Sequence, residues 1–504
     1  METLSLLWDG FAVAALPINL LLIVVGCFAG TLIGALPGLG PVNGVAILIP
    51  LTFAFGLDAT SSLILLSAVY YGCMYGGRIS AILLNIPGDE PAIMTTLDGY
   101  PMAKQGQAAD ALAISGVASF IGATLATIGL TLFAPMLAKA AIYFGPADYF
   151  ALYVMAFATI GGITGADPRK TLLAALLGLM LGTVGLDPST GVARYTFGSF
   201  NLYDGFDPIV ALVGLFAISE ILFFLEEKAH GGSMVPPGRV FPRLTRVKEG
   251  LGASLRGSLI GFIAGILPGA GASLGAVMSY SFEKRISDKK GTFGHGDPRG
   301  VAAPEAGNNA ASGGALIPML TLGVPGSGTT AVMLAMLISL NIQPGPLLFE
   351  RSPDLVWGLV AALYLANFTL LILNLPLIGM FTRVLGLPAW GLMPLVVAIS
   401  YLGVYAITHA AFDLLIMVGF GILGYVLRKL DFSLVPIVLG LLLGMDMENN
   451  LRRALSISGG DFTVLVQSPI ALFIYALTAA FLALSLWLAR RGVVAPLHAE
   501  QAED

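Results

Sequence analysis

The feature that most constrains this chain is a series of long apolar runs joined by short polar segments. The runs cover residues 11–36, 41–57, 61–86, 111–137, 149–163, 172–186 and 208–225, then, after a polar break, 258–282, 310–340, 355–381, 390–427, 434–445 and 470–488. A membrane-crossing helix needs about 20 mainly apolar residues. The run 390–427 is long enough for two helices, whereas 434–445 is too short for one. The pattern predicts an all-α integral membrane protein with about ten to twelve transmembrane helices, some of them re-entrant or broken. Composition closes off the soluble alternative. Only 11% of the 504 residues are charged, against about 25% in a soluble domain. The runs are continuous, which excludes an outer-membrane barrel of short alternating strands. Cys27 and Cys73 both sit in apolar stretches and read as small buried thiols rather than a disulfide framework.

The sparse charges orient the chain. No Lys or Arg precedes Arg78, while eleven of the 25 basic residues fall between Glu226 and Gly300. Basic loops stay in the cytoplasm, so residues 226–256, which contain Pro236-Pro237-Gly238, read as a basic cytoplasmic linker. Residues 1–225 form a first membrane repeat, 257–489 a second repeat with C-terminal helices, and 490–504 a cytoplasmic tail. The start of the chain reads as outside.

Two glycine-proline motifs recur in the same order. Leu36-Pro37-Gly38-Leu39-Gly40 returns as Leu267-Pro268-Gly269-Ala270-Gly271, 231 positions on, and Ile86-Pro87-Gly88 returns as Val324-Pro325-Gly326, 238 positions on. The second L-P-G-x-G has basic residues on both sides (Arg246, Lys248 and Arg256; Lys284 and Arg285), whereas the first is flanked by Asp9 and Asp58. Opposite flanking charge predicts two hairpins entering from opposite faces, as in two inverted structural repeats. A single Pro-Gly motif would signify no more than a kink or close packing; the ordered pair points to broken helices meeting near the bilayer midplane. Backbone freed there is tolerable only where it faces protein, ions or substrate.

At this point a family resemblance emerges. Tyr75-Gly76-Gly77, the stretch Ile82–Gly88, Leu97-Asp98-Gly99-Tyr100-Pro101, Ala303-Pro304-Glu305-Ala306 with Asn308-Asn309-Ala310, and Leu322–Ser327 resemble the large membrane subunit of the tripartite tricarboxylate transporters, the TctA family. Phe412-Asp413, Gly424–Arg428 and Glu448-Asn449-Asn450-Leu451-Arg452-Arg453 continue the match. The resemblance implies a symport permease in a bacterial inner membrane. Its implied partners are a small membrane subunit of about four spans and a periplasmic solute-binding protein that delivers an organic carboxylate. It implies no cofactor, with sodium or protons as the coupling ion. The chain departs from the family at Arg78, where Ser commonly follows Tyr75-Gly76-Gly77.

A carboxylate needs donors and positive potential, which helix N-termini supply. The candidate substrate and ion residues are therefore Pro37, Gly38 and Gly40 with Asn43; Asn85, Pro87 and Gly88; Pro268, Gly269 and Gly271 with Ser273; Asn308 and Asn309; and Pro325, Gly326, Ser327, Thr329 and Thr330. For each hydroxyl the bland alternative is a local bond to a helix carbonyl. Arg78 clamps a substrate carboxylate, forms a structural pair with Asp89 or Glu90, or snorkels to the interface. Glu305, after Pro304, reads as a structural helix-start residue ahead of the alternative, part of an ion or proton site. His409 and Asp413, four apart, read as a buried pair or a proton relay on one helical face. Asp98 reads as part of a polar turn. Rival functions are an intramembrane enzyme, an ATP-driven pump, an anion-selective channel and a carboxylate carrier working without a binding protein. Neither H-E-x-x-H nor G-x-x-x-x-G-K-[ST] occurs, and Gly271-Ala272-Ser273-Leu274-Gly275 lacks the strand-to-helix context of a catalytic G-x-S-x-G, which argues against the first two.

Overall fold

The computed structural model describes residues 2–36, 38–163, 168–226, 242–269, 271–376 and 393–490. Pro37, Ala270, most of the basic linker and nearly all of the C-terminal tail lie outside these. The described chain is helical, apart from a two-stranded ribbon pairing Gly185 with Arg194 and Leu186 with Ala193. The first half runs α1 (Glu2–Ala14), α2 (Pro17–Ala35), α3 (Gly40–Ala54), α4 (Ala59–Leu84), α5 (Ile93–Met102), α6 (Ala108–Ala141), α7 (Pro146–Ile163), α8 (Pro168–Gly182) and α9 (Pro208–Glu226). The second half runs α10 (Leu244–Ile266), α11 (Gly271–Ser287), α12 (Pro298–Gly314), α13 (Leu316–Leu322), α14 (Gly328–Ser339), α15 (Pro353–Asn374), α16 (Met393–Thr408), α17 (Ala411–Lys429), α18 (Val435–Ile457) and α19 (Pro469–Arg490).

Among the described residues, five helical stretches are long and apolar enough to cross a membrane: Pro17–Ala35, Glu90–Ala141, Pro208–Glu226, Pro353–Asn374 and Ala411–Lys429. Other apolar helices are shorter, among them Gly40–Ala54 and Gly328–Ser339. Three boundaries differ from the sequence reading. The first apolar run is two helices, because Pro17 starts a new one. Residues 244–256, read as linker, are the opening turns of α10. The short run 434–445 continues as a helix to Ile457, its later turns polar. The run 390–427 divides in two, as its length required.

Glycine placement governs the packing. On α2, Gly26, Gly30 and Gly34 lie one turn apart and are buried, while Leu20, Val24 and Phe28 on another face are exposed. On α10, Gly257, Gly261 and Gly265 are buried and Leu251, Leu255 and Leu259 exposed. Small residues inside and large apolar ones outside is the arrangement expected where the surround is lipid. A Cβ on Gly30 would stand 2.3 Å from the Val69 carbonyl oxygen, and one on Gly34 2.2 Å from that of Cys73. In the other half, Gly261 meets the Gly307 carbonyl oxygen at 2.0 Å and Gly265 that of Ala311 at 2.2 Å. These contacts correspond across the halves: the hairpin helices match at 231 positions and their partners, α4 and α12, at 238. The apolar sequence pattern alone did not bring out this glycine ladder.

Each L-P-G-x-G motif is a hairpin tip. Asn19, at the start of α2, accepts from the Ser61 hydroxyl beyond the end of α3 (2.7 Å), which closes the mouth of the first hairpin. Arg256 of α10 forks onto Glu283 of α11 at 2.8 and 2.7 Å, holding the second. Helix α6 starts beside the second mouth, where Arg243 grips Asp110. It then runs antiparallel to α4: Arg78 meets Ser115, while Tyr71 and Ala126 both border Gly313. The two mouths consequently open towards opposite ends of the molecule. Further bonds sort the remaining helix ends. Asp148–Ser468 and Asp187–Arg452 lie at the first-mouth end. Lys170 with the Leu430 carbonyl, and Glu226 with Tyr425 and Lys429, lie at the other.

Candidate substrate and ion site

The two tips share one backbone solution. Leu36 and Leu267 leave their helices extended (φ −80, ψ 119; φ −73, ψ 122), each donating its N–H three residues back, to Ile33 and Ala264. Gly38 and Gly40 then take φ values of 86° and 60°, and Gly269 and Gly271 take 77° and 64°. These are left-handed conformations that a side chain disfavours, which is why glycine stands at all four positions. The Ile-Pro-Gly and Val-Pro-Gly motifs match as well. Asn85 ends α4 and Gly323 ends α13, both left-handed, at φ 58° and 68°. Two residues later comes Pro87 or Pro325, which cannot continue a helix, followed by Gly88 or Gly326. Then Asp89 caps a short helical turn by accepting from Ala92 N–H at 3.1 Å. At the corresponding place Ser327 caps α14 through Thr330 N–H at 3.2 Å, and Thr330 Oγ1 accepts from Ser327 N–H in return.

The breaks converge. Gly271 N–H donates to Gly326 O at 3.2 Å, joining the second tip to the second break. A Cβ on Gly40 would lie 3.7 Å from the Asp89 Cβ, bringing the first tip to the first break. Ser273 donates to Glu90 at 3.2 Å, and Tyr70 OH lies 3.4 Å from Ser327 Oγ, so the halves touch through polar groups. The surrounding helices are buried, yet Gly38, Asn85 and Glu90 are exposed and Gly269, Ser273 and Ser327 half-buried. The result is an accessible polar crevice inside an apolar body. On its rim Asn43 donates to Glu220 at 3.3 Å, and Glu220 pairs with Arg428 at 2.6 Å. Two buried acceptors, Asp89 Oδ2 and Asn308 Oδ1, find no hydrogen-bond partner among the described residues. A buried carboxylate oxygen left unpaired is costly.

Most of the predicted candidates fall at or beside these breaks. Gly38, Gly40, Asn43, Asn85, Pro87, Gly88, Pro268, Gly269, Gly271, Ser273, Pro325, Gly326, Ser327 and Thr330 do so, with Thr329 buried beside Thr330. Pro37 lies outside the described residues. Asn309 is buried and bonds its own helix at Glu305 O (3.0 Å), whereas neighbouring Asn308 keeps its free acceptor.

Three expectations are corrected. Arg78 is fully buried but does not pair with Asp89 or Glu90, nor does it line the crevice. It donates to Leu112 O and Ser115 Oγ (both 2.7 Å) and to Asn374 Oδ1 (3.1 Å), pinning α4 to α6 and α15. Pro304 does not break its helix. Glu305 lies in the middle of α12, accepting from Thr95 (2.5 Å) and Ser119 (3.2 Å). His409 and Asp413 do not share a helical face: α16 ends at Thr408, His409 is exposed at φ 53°, and α17 begins at Ala411.

Asp89, Glu90, Tyr70 and Glu220 were absent from the predicted site. Asp89 had a readable signal, since it follows Pro87-Gly88 as Ser327 follows Pro325-Gly326. The other three are brought in only by helix packing. Asp98, read as a turn residue, is a buried helical clasp. Its Oδ1 accepts from the N–H groups of Gly294, Gly296 and Asp297 at 2.8–2.9 Å, and its Oδ2 from Tyr280 OH at 3.0 Å.

Apolar helices, two broken hairpins and a central polar crevice define a multi-pass helical membrane protein. Residues 20–439 match the model of the tripartite tricarboxylate transporter TctA family. The chain belongs to that family of transporters. It is 40% identical over 490 residues to an Agrobacterium vitis protein described as an uncharacterised 52.8 kDa protein in the TAR-I ttuC′ 3′ region, covering 96% of this chain and 97% of that one. A second Agrobacterium vitis protein, from the TAR-II ttuC′ 3′ region, is 43% identical over 211 residues, 42% of this chain and 87% of its own length. No solved structure matches the chain.

Proposed function

We propose that the chain is the large permease subunit of a tripartite secondary transporter of a bacterial inner membrane. It takes up organic di- or tricarboxylates with a small membrane subunit and a periplasmic binding protein, driven by a sodium or proton gradient. The observation that carries this reading is the convergence of four helix breaks on one accessible polar crevice. The N-terminus of α14, with the Ser327 and Thr330 hydroxyls beside it, offers donors and positive dipole to a carboxylate. Asp89, with its free oxygen, offers an acceptor to a cation or a proton. Opposite ligand types at corresponding positions of the two halves suit coupled movement of an anion and a cation.

The halves act as an inverted-topology repeat, a reading supported by matching tips, matching glycine contacts and mouths at opposite ends. The basic flanks of the second mouth face the cytoplasm, which puts the Asp187–Arg452 end outside. The test is uptake of labelled citrate into proteoliposomes with and without the two partners. Ion-dependent uptake and counterflow that require the binding protein are expected. Gradient-independent flux without counterflow would identify a channel instead.

A further inference from the structure

The motif Glu448-Asn449-Asn450-Leu451-Arg452-Arg453 plays no part in the crevice. It occupies the later turns of α18, at the end of the molecule assigned above to the outside. There it meets the 185–207 loop. Asp187 accepts from Arg452 at 2.8 Å, Glu448 from Arg452 at 2.5 Å and from Arg194 at 3.0 Å, so two carboxylates are shared by two guanidinium groups. This block neutralises itself and fixes the direction of Arg452. Beside it is a cavity of about 350 Å³ lined by Pro188, Ser189, Asn449, Arg452, Arg453 and Ser456. No acidic residue lines it. Arg453 is exposed and makes no hydrogen bond or ion pair among the described residues. The carboxylate that senses its charge is Asp446, two turns back on the same helix and outside the lining. The hydroxyls of Ser189 and Ser456 and the Asn449 amide add neutral donors with no other side-chain bond among the described residues.

We infer that this cavity is a second, outer anion site. It captures a small carboxylate by a charge-assisted bond to Arg453, with Arg452 held in place by Asp187 and Glu448, before the anion reaches the crevice. Guanidinium groups suit carboxylates because two parallel N–H donors match two oxygens. A fixed Arg costs less ordering on binding than a free one. Cationic clefts also raise the local concentration of an anion and its capture rate. The choice of carboxylate, and of the outer face, rests on the proposed transport function; the cationic character of the cavity does not.

The test uses the full chain in nanodiscs. Cys27 and Cys73 are buried, so a thiol reagent reports a new cysteine at exposed Ser456. In Ser456→Cys, an anionic methanethiosulfonate should react about tenfold faster than a cationic one, and citrate should slow it at constant ionic strength. Adding Arg453→Gln should remove both the charge preference and the protection. Ser189→Cys gives an independent reporter from the loop side. Equal rates for the two reagents, no protection by citrate, or protection that survives Arg453→Gln would each overturn the site. So would protection that appears only with the binding protein present, which would mark a docking surface. These readings require no transport. Protection without uptake would leave the site standing and remove the transporter reading.

Discussion

Arg78 shows how a residue can look like a site and serve as a bolt. Its guanidinium satisfies acceptors on two other helices, and it interacts through space with Glu305, itself bonded to Thr95 and Ser119. Removing one member of such a buried charged network costs about 3–5 kcal/mol. Arg78→Met should therefore lower resistance to denaturant by that order, read by unfolding in mixed micelles, while the folded fraction keeps its citrate KM. A changed KM with unchanged stability would return Arg78 to the substrate. Gly261 makes a different residue-scale point. A Cβ there would stand 2.0 Å from the Gly307 carbonyl oxygen, so Gly261→Ala forces α10 and α12 apart. Overpacking of this kind costs about 1–3 kcal/mol, to be measured in the same assay, and Gly30→Ala at the corresponding position of the other half should cost a similar amount.

At the scale of the element, the two Leu-Pro-Gly tips are conformational devices rather than packing ones, whereas Gly88 and Gly326 are packed against backbone. Among the described residues, nothing lies within 4 Å of a Cβ built on Gly271, and on Gly38 only Glu220 Oε1 does, at 3.9 Å; both glycines have positive φ. Substitution there is penalised by backbone strain alone, about 1–2 kcal/mol. Asn tolerates the left-handed region and Val does not. Uptake should then fall in the order wild type, Gly271→Asn, Gly271→Val, with membrane insertion unchanged by cell fractionation. Equal activity of all three would disprove the role of the tip. The 185–207 loop is held instead by charge. The Asp187 carboxyl sits below the ordinary carboxylate range because Ser189 N–H donates to it, followed by Arg452. A depressed folded pKa contributes stability that is complete above about pH 4 and lost as pH falls through the folded value. Limited proteolysis should find the loop protected at pH 5 and above and cut readily only well below pH 4.

The whole molecule adds the relation between the halves. Single cysteines placed at residues 227–241, next to α9, should label from the cytoplasm only, and Ser456→Cys from the outside only. The reverse result, or both labelling from one face, would dismiss the inverted arrangement. Long apolar runs showed the membrane class because each lipid-facing segment must be apolar along its own length, a local demand. The four breaks were legible for the same reason: Pro and Gly act on their own backbone. The Leu-Pro-Gly tips, Pro87 and Pro325 were thus found without a structure. Asp89 was recoverable from the repeat, whereas Glu220 and Tyr70 were not. Their partners Asn43 and Ser327 are 177 and 257 residues away, and no local pattern encodes such pairings. His409 failed for the opposite reason: a four-residue spacing presumes a continuous helix, and the chain turns left-handed at that residue.

The sequence by itself determined the class of protein, its family and where its helices break, because these depend on hydropathy and on the intrinsic limits of proline and glycine. Only the tertiary structure decided that the breaks meet in one crevice, that Arg78 braces helices instead of facing that crevice, and that Arg452 and Arg453 border an outer cavity. Those outcomes depend on which distant helix supplies the partner for each buried polar group, and helix packing settles that choice.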